Sequence, residues 1–170
     1  MRGLIVLALS LLSLNAFAAG SKIDIPKYDW SWKGFFGTYD RASAQRGLKV
    51  YREVCAGCHS MDLIAYRNLE DLGFSEGHIK AIAAEYLIPD GPNDEGEMFE
   101  REAIPSDRFA NPYPNIQAAR AANNGAYPPD LSLIVKARPK GADYLKALLL
   151  GYVEAPADKE VPEGQYYNKY

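Results

Sequence analysis

The stretch Arg41 to His59, RASAQRGLKVYREVCAGCH, decides the fold of this chain. Ala44, Leu48, Tyr51 and Val54 return at three- and four-residue steps with basic residues between them, which predicts an amphipathic helix from Arg41. That helix delivers Cys55, the first residue of a Cys-x-x-Cys-His motif that spans Cys55, Cys58 and His59. Two thiols three residues apart on a helical turn can meet the two vinyl groups of one porphyrin edge. The following imidazole then addresses the iron from one face, as in c-type haem attachment. Gly47 is awkward inside such a helix, because glycine weakens a helix interior by about 1 kcal/mol relative to alanine. Close approach of a crossing helix would account for it, and simple tolerance is the alternative.

No other metal chemistry fits as well. Cys55 and Cys58 are the only cysteines, so a four-thiolate zinc site is excluded. A site with two thiolates and two imidazoles would need His59, crowded against Cys58, together with the remote His78. The competing reading of the thiols is a disulfide or a redox pair that happens to precede a histidine. The export context favours one covalent haem c, with Cys55 and Cys58 as thioether residues and His59 as the metal ligand.

That context comes from residues 1–18: Arg2, an apolar run from Leu4 to Leu14, then Ala16-Phe17-Ala18 as an A-x-A cleavage site. The run is short for a membrane span, which weighs against an uncleaved anchor. The remaining residues, 19–170, suffice for one domain with a core and a buried cofactor. Beyond the signal no run is apolar enough to cross a bilayer.

Removing Arg2 from the 19 basic residues leaves 18 against 22 acidic, a net of −4. The charge is uneven. Asp90 to Asp107 holds seven acids and one base, Arg101, a local −6. Such a surface repels nucleic acid and can steer a basic protein partner, although a merely solvated loop has the same composition.

The rest of the chain reads as short helices joined by irregular segments. Ile23 to Tyr39 is aromatic and rich in Gly and Pro, as an irregular stretch packed by its rings would be. A helix is expected from the Ser75 N-cap to about Ile88, stopped by Pro89-Asp90-Gly91-Pro92, with a long loop from Asp90 to Pro114. An Ala-rich helix from about Asn115 ends at Asn124-Gly125, another starts near Asp130, and a last one covers about Ala142 to Tyr152. With no strand-like alternation and no repeats, the expected fold class is all-α, with long irregular loops.

Several segments resemble the cytochrome c1 family, the haem subunits of respiratory cytochrome bc1 complexes. They are WKGFFGTYD (Trp32 to Asp40), RGLKVYREVCAGCHSMD (Arg46 to Asp62), DGPNDEGEMF (Asp90 to Phe99), PYPNIQAARAANNGAYPPDLS (Pro112 to Ser132) and IVKAR (Ile134 to Arg138). Gly151-Tyr152 and the Tyr-rich end extend the likeness over nearly all of residues 19–170. The resemblance implies a cytochrome-c-like haem domain on the periplasmic side of a bacterial inner membrane. It would be an electron-carrier subunit rather than an enzyme in itself. Electrons would pass from the Rieske iron–sulfur protein to cytochrome c, within a ubiquinol:cytochrome c oxidoreductase that also contains cytochrome b. It further implies Arg138 as the partner of a haem propionate and Tyr144 as a tyrosine near the haem. A half-buried carboxylate needs such a positive hydrogen-bonding partner, whereas the bland reading of Arg138 is an exposed helix-end arginine.

In the family the sixth iron ligand is a methionine following a Tyr-x-Asn-x-Tyr-Phe motif, with a membrane anchor further on. Tyr166 to Tyr170 matches that motif and is the end of this chain, so ligand and anchor are both expected to be absent from it. Met61 lies too close to His59 to reach the opposite haem face, Met98 matches a family methionine that is not the ligand, and His78 is expected to face solvent. A soluble c-type shuttle, or a haem protein with an open sixth position that binds small ligands, is the alternative function.

Overall fold

A computed structural model describes residues 24–170 of the chain. The expected signal peptide, residues 1–18, lies outside the described residues.

The first helix forms where its periodicity places it, but Val54 of the expected stripe is exposed. Asp40 accepts from the N–H of Ser43 at 3.2 Å and caps α1, Arg41–Val50. The chain then loosens into a π-helical turn, Tyr51–Cys55, in which the Ala56 N–H reaches back to the Tyr51 carbonyl at 2.8 Å. A 3-10 helix follows at Tyr66–Leu72, ended by Gly73 at φ 87°. Next comes α2, Glu76–Ala84, capped by Ser75. Shorter helices complete the order: α3 Ile116–Ala122, α4 Ile134–Ala137 and α5 Ala142–Leu150.

The all-α expectation is wrong. Leu87–Asp90 (β1) and Phe99–Glu102 (β2) pair as a two-stranded antiparallel sheet, with Leu87 opposite Glu102 and Asp90 opposite Phe99. The expected helix to Ile88 stops at Ala84, and the expected loop from Asp90 contains the second strand. Pro89 explains the exchange. It has no N–H to donate and disfavours helical backbone in the residue before it, yet it is tolerated in an edge strand, and both strands of a two-stranded ribbon are edges. Arg101 fastens the hairpin by bonding Asp90 and, at 2.7 Å, Asp107. The Arg101 hydrogen bonds hold both carboxyls below the usual carboxylate range and raise the guanidinium's own value.

One core ties the π-helical turn, the 3-10 helix and α2 to the segment after the hairpin: Tyr51, Tyr66, Leu69, Ile79, Ile82, Ala83, Ala103 and Phe109. Tyr66 is its centre, 2% exposed, with its ring centroid 4.8 Å from that of Phe109 and 5.8 Å from that of Tyr86. The aromatic segment 28–39 is irregular and ring-packed as expected, with Trp32 stacked between Trp30 and Tyr39. Its Phe35 and Phe36, by contrast, are almost fully exposed. Asp143 latches the segment to α5 by accepting from the Tyr28 N–H, the Trp30 indole and the Lys33 ammonium. Gly47 meets no crossing helix among the described residues; it lines an apolar groove of about 380 Å³ with Leu48, Met61, Ile64 and Leu72. Among the described residues no helix is long and apolar enough to cross a membrane.

Candidate haem site

The π-helical turn sets the geometry of the site. It ends on Cys55, after which the N–H groups of Cys58 and His59 both bond the Cys55 carbonyl, at 3.0 and 2.8 Å. Cys55, Cys58 and His59 therefore share one tight turn, as their spacing predicts. Both thiols are free, Cys58 exposed and Cys55 half-buried.

The imidazole of His59 is oriented by a distant segment. Its Nδ1 lies 2.8 Å from the carbonyl oxygen of Pro129. A carbonyl can only accept, so Nδ1 carries a proton, and the neutral ring then has its lone pair on Nε2. That is the tautomer an iron ligand needs, and a hydrogen-bonded outer nitrogen is the usual way of fixing it. On the backbone side the Tyr51 hydroxyl donates to the His59 carbonyl at 3.1 Å. Burial, then the charge of Asp130, push the Tyr51 hydroxyl up to about 12, so it remains a donor at neutral pH.

Residues 60–63 run beside residues 129–132. Leu131 donates to the Ser60 carbonyl, and the Asp130 carboxylate accepts from the Ser60 hydroxyl and the Asp62 N–H. Burial works to raise the Asp130 carboxyl, but the donors at Asp62, Ser132 and Ser60 together hold it below the usual range. Next to Cys58 opens a cleft of about 120 Å³ walled by Pro112, Tyr113, Ile116, Ala119 and Pro128. The Tyr113 hydroxyl reaches the Cys58 sulfur at 3.8 Å and is itself bonded by the Asn123 amide at 3.1 Å.

These residues fit a covalent haem. They offer two unpaired thiols on one turn, an imidazole on the same turn, and beside the second sulfur a cleft whose wall mixes apolar residues (Pro112, Ile116, Ala119, Pro128) with polar ones (Ser60, Asp62, Asn111, Asn115). Among the described residues no group of three or more His, Cys, Asp and Glu side chains is arranged to hold a metal ion in another way.

The remaining expected residues stand apart. Arg138 is exposed at the C-terminal end of α4, and Tyr144 is half-buried in the first turn of α5. Neither lines the cleft beside Cys58. His78 faces solvent beside Ser75, as expected, and Met98 is exposed on the hairpin loop. Reading the residues one by one passed over Tyr113, Asn123, Pro129 and Asp130 as parts of the site. Three of the four stand more than 60 positions from His59 and all lie outside its helix, so no periodicity links them; their only signal was membership of the PYPN and AANNGAYPPDLS segments.

Known proteins resemble this chain over most of its length. Residues 30–170 match the model of the Cytochrome C1 family. A mitochondrial cytochrome c1 heme protein of Solanum tuberosum is 53% identical over 92% of this chain and 60% of its own length. Cytochrome c1 of Rhodospirillum rubrum is 55% identical over 76% of this chain and 48% of its own. The cytochrome b-c1 complex catalytic subunit of Candida albicans is 52% identical over 90% and 54%. The chain thus spans about half the length of these relatives.

Proposed function

The chain belongs to the cytochrome c1 family, and from that premise we propose that it is the haem-bearing electron-carrier part of a ubiquinol:cytochrome c oxidoreductase. The proposed role is to take single electrons from the Rieske iron–sulfur protein and hand them to cytochrome c, next to cytochrome b, on the periplasmic side of a bacterial inner membrane. The observation that carries the reading is the Cys55–His59 turn with its Nδ1 contact to Pro129. Bound haem c supplies a one-electron iron couple whose potential the axial ligand and its surroundings tune.

The chain's own residues then have separable tasks. Cys55 and Cys58 would hold the cofactor through thioether bonds, and His59 would be the residue that ligates its iron. Tyr113, held by Asn123, occupies the edge beside the Cys58 sulfur. Arg138 would meet a propionate and Tyr144 would lie near the haem; the solvent exposure of Arg138 is compatible with pairing to a group at the haem rim. The acidic hairpin offers a basic acceptor a concentrated negative surface, because Asp94, Glu95, Glu97, Glu100 and Glu102 are all exposed.

Intact mass after acid denaturation tests the reading. The purified holoprotein should carry the mass of one haem, and Cys55→Ser with Cys58→Ser should abolish it. A chain that is expressed with the covalent-attachment machinery and still shows only its apo mass would overturn the proposal.

A further inference from the structure

The contacts of Asp130 extend beyond packing. Its Oδ2 accepts from the Ser60 hydroxyl at 2.9 Å and the Asp62 N–H at 2.7 Å, and its Oδ1 accepts from the Ser132 N–H at 2.9 Å. Ser132, held in this way, accepts from the Leu63 N–H through its hydroxyl at 3.0 Å. One carboxylate thus clamps the segment that follows His59 onto the segment that follows Pro129. The two clamped segments are the ones whose separation sets the Nδ1 to carbonyl distance of 2.8 Å. An ionised carboxylate suits the position because it offers acceptors only, and the groups converging on it are donors.

We propose that Asp130 is a positioning residue for the axial histidine: by clamping residues 60–63 to residues 129–132 it fixes the Pro129 carbonyl on His59 Nδ1 and so sets the basicity of the ligand nitrogen. The proposal rests on His59 being the axial ligand. A hydrogen bond that draws the Nδ1 proton outward makes Nε2 a stronger donor, and a stronger donor favours the ferric state. Loosening the clamp therefore raises the midpoint potential. Loss of packing alone predicts no such directed change.

The experiment is an equilibrium redox titration of the full-length holoprotein as wild type, Asp130→Ala, Asp130→Asn and Asp143→Asn. Asp143 serves as control because it is an equally well-bonded carboxylate that latches the aromatic segment and touches neither His59 nor Pro129. Asp130→Ala should shift the one-electron equilibrium toward the ferrous form about tenfold, which is about 59 mV. Asp130→Asn, which keeps one carbonyl acceptor, should move the same way by less, and Asp143→Asn should leave the potential in place. If Asp130→Ala fails to fold, Ser60→Ala removes a single arm of the clamp and must still shift the potential positively. A wild-type potential in the variants that fold, with stability lost as in the control, overturns the proposal. Absence of haem from the wild-type protein would instead strike at the assignment of His59, so the two failures are distinguishable.

Discussion

The acidic hairpin is the feature of this chain on which a charge perturbation can be worked through to a rate. Of its local −6, Arg101 with Asp90 and Asp107 carries only −1 and is half-buried, tied up in fastening β1 to β2. The other −5 stands on the exposed Asp94, Glu95, Glu97, Glu100 and Glu102. We therefore expect the substitutions Asp94→Asn, Glu95→Gln, Glu97→Gln, Glu100→Gln and Glu102→Gln, made together, to leave the hairpin standing and remove its steering. A unit positive charge on the partner at about 10 Å from each acid, in water, contributes roughly a factor of 1.7 per acid at 0.01 M salt and roughly 1.2 at 0.15 M. Over the five acids this compounds to a loss of on-rate of about 14-fold at low salt and less than about 3-fold at 0.15 M. Stopped-flow electron transfer to a basic cytochrome c at both ionic strengths measures it. On-rates that agree within about twofold at 0.01 M would refute the steering argument and leave the loop as a solvated surface.

Two further perturbations test the frame that holds the site. Tyr66→Ala removes the ring at the centre of the core and should destabilise the domain by about 3–5 kcal/mol in urea unfolding; Tyr66→Phe, which only deprives the Ala110 N–H of its hydroxyl acceptor, should lose about 1 kcal/mol. A Tyr66→Ala loss no larger than that of Tyr66→Phe would show that the ring contacts to Phe109 and Tyr86 do not carry the core. The Asp143 latch should depend on pH: the Trp30 indole, burial acting the other way, and the bonds from Tyr28 and Lys33 leave its carboxyl below the ordinary aspartate value of 3.8. A lowered folded value means that the latch is fully stabilising above about 3.8 and is lost as pH falls through the folded value, so exchange of the Trp30 indole N–H should accelerate only below that range. An equally fast exchange in wild type and Asp143→Asn at pH 7 would sink this account.

What could be read without the fold was whatever a short window contains. The Cys55–His59 turn, the α1 helix that leads into it, the cap at Ser75, and the solvent-facing His78 all depend on residues within a few positions of one another. The charge of the 90–107 segment was legible for the same reason. The strands were not, because Leu87-Ile88 continues a helical pattern and becomes a strand only when Arg101 and Glu102 arrive beside it. The tautomer of His59 was equally hidden, since the Pro129 carbonyl that settles it lies 70 residues away. Separations of 68 and 55 residues likewise hid the Asp130 clamp and the contact of Tyr113 with Cys58. Spacing alone thus picked out the residues proposed to bind a haem, because covalent attachment is a matter of local reach. Only the tertiary structure decided how the ligand is oriented and where the acids stand, because hydrogen bonds and charges act through space between segments that no sequence period connects.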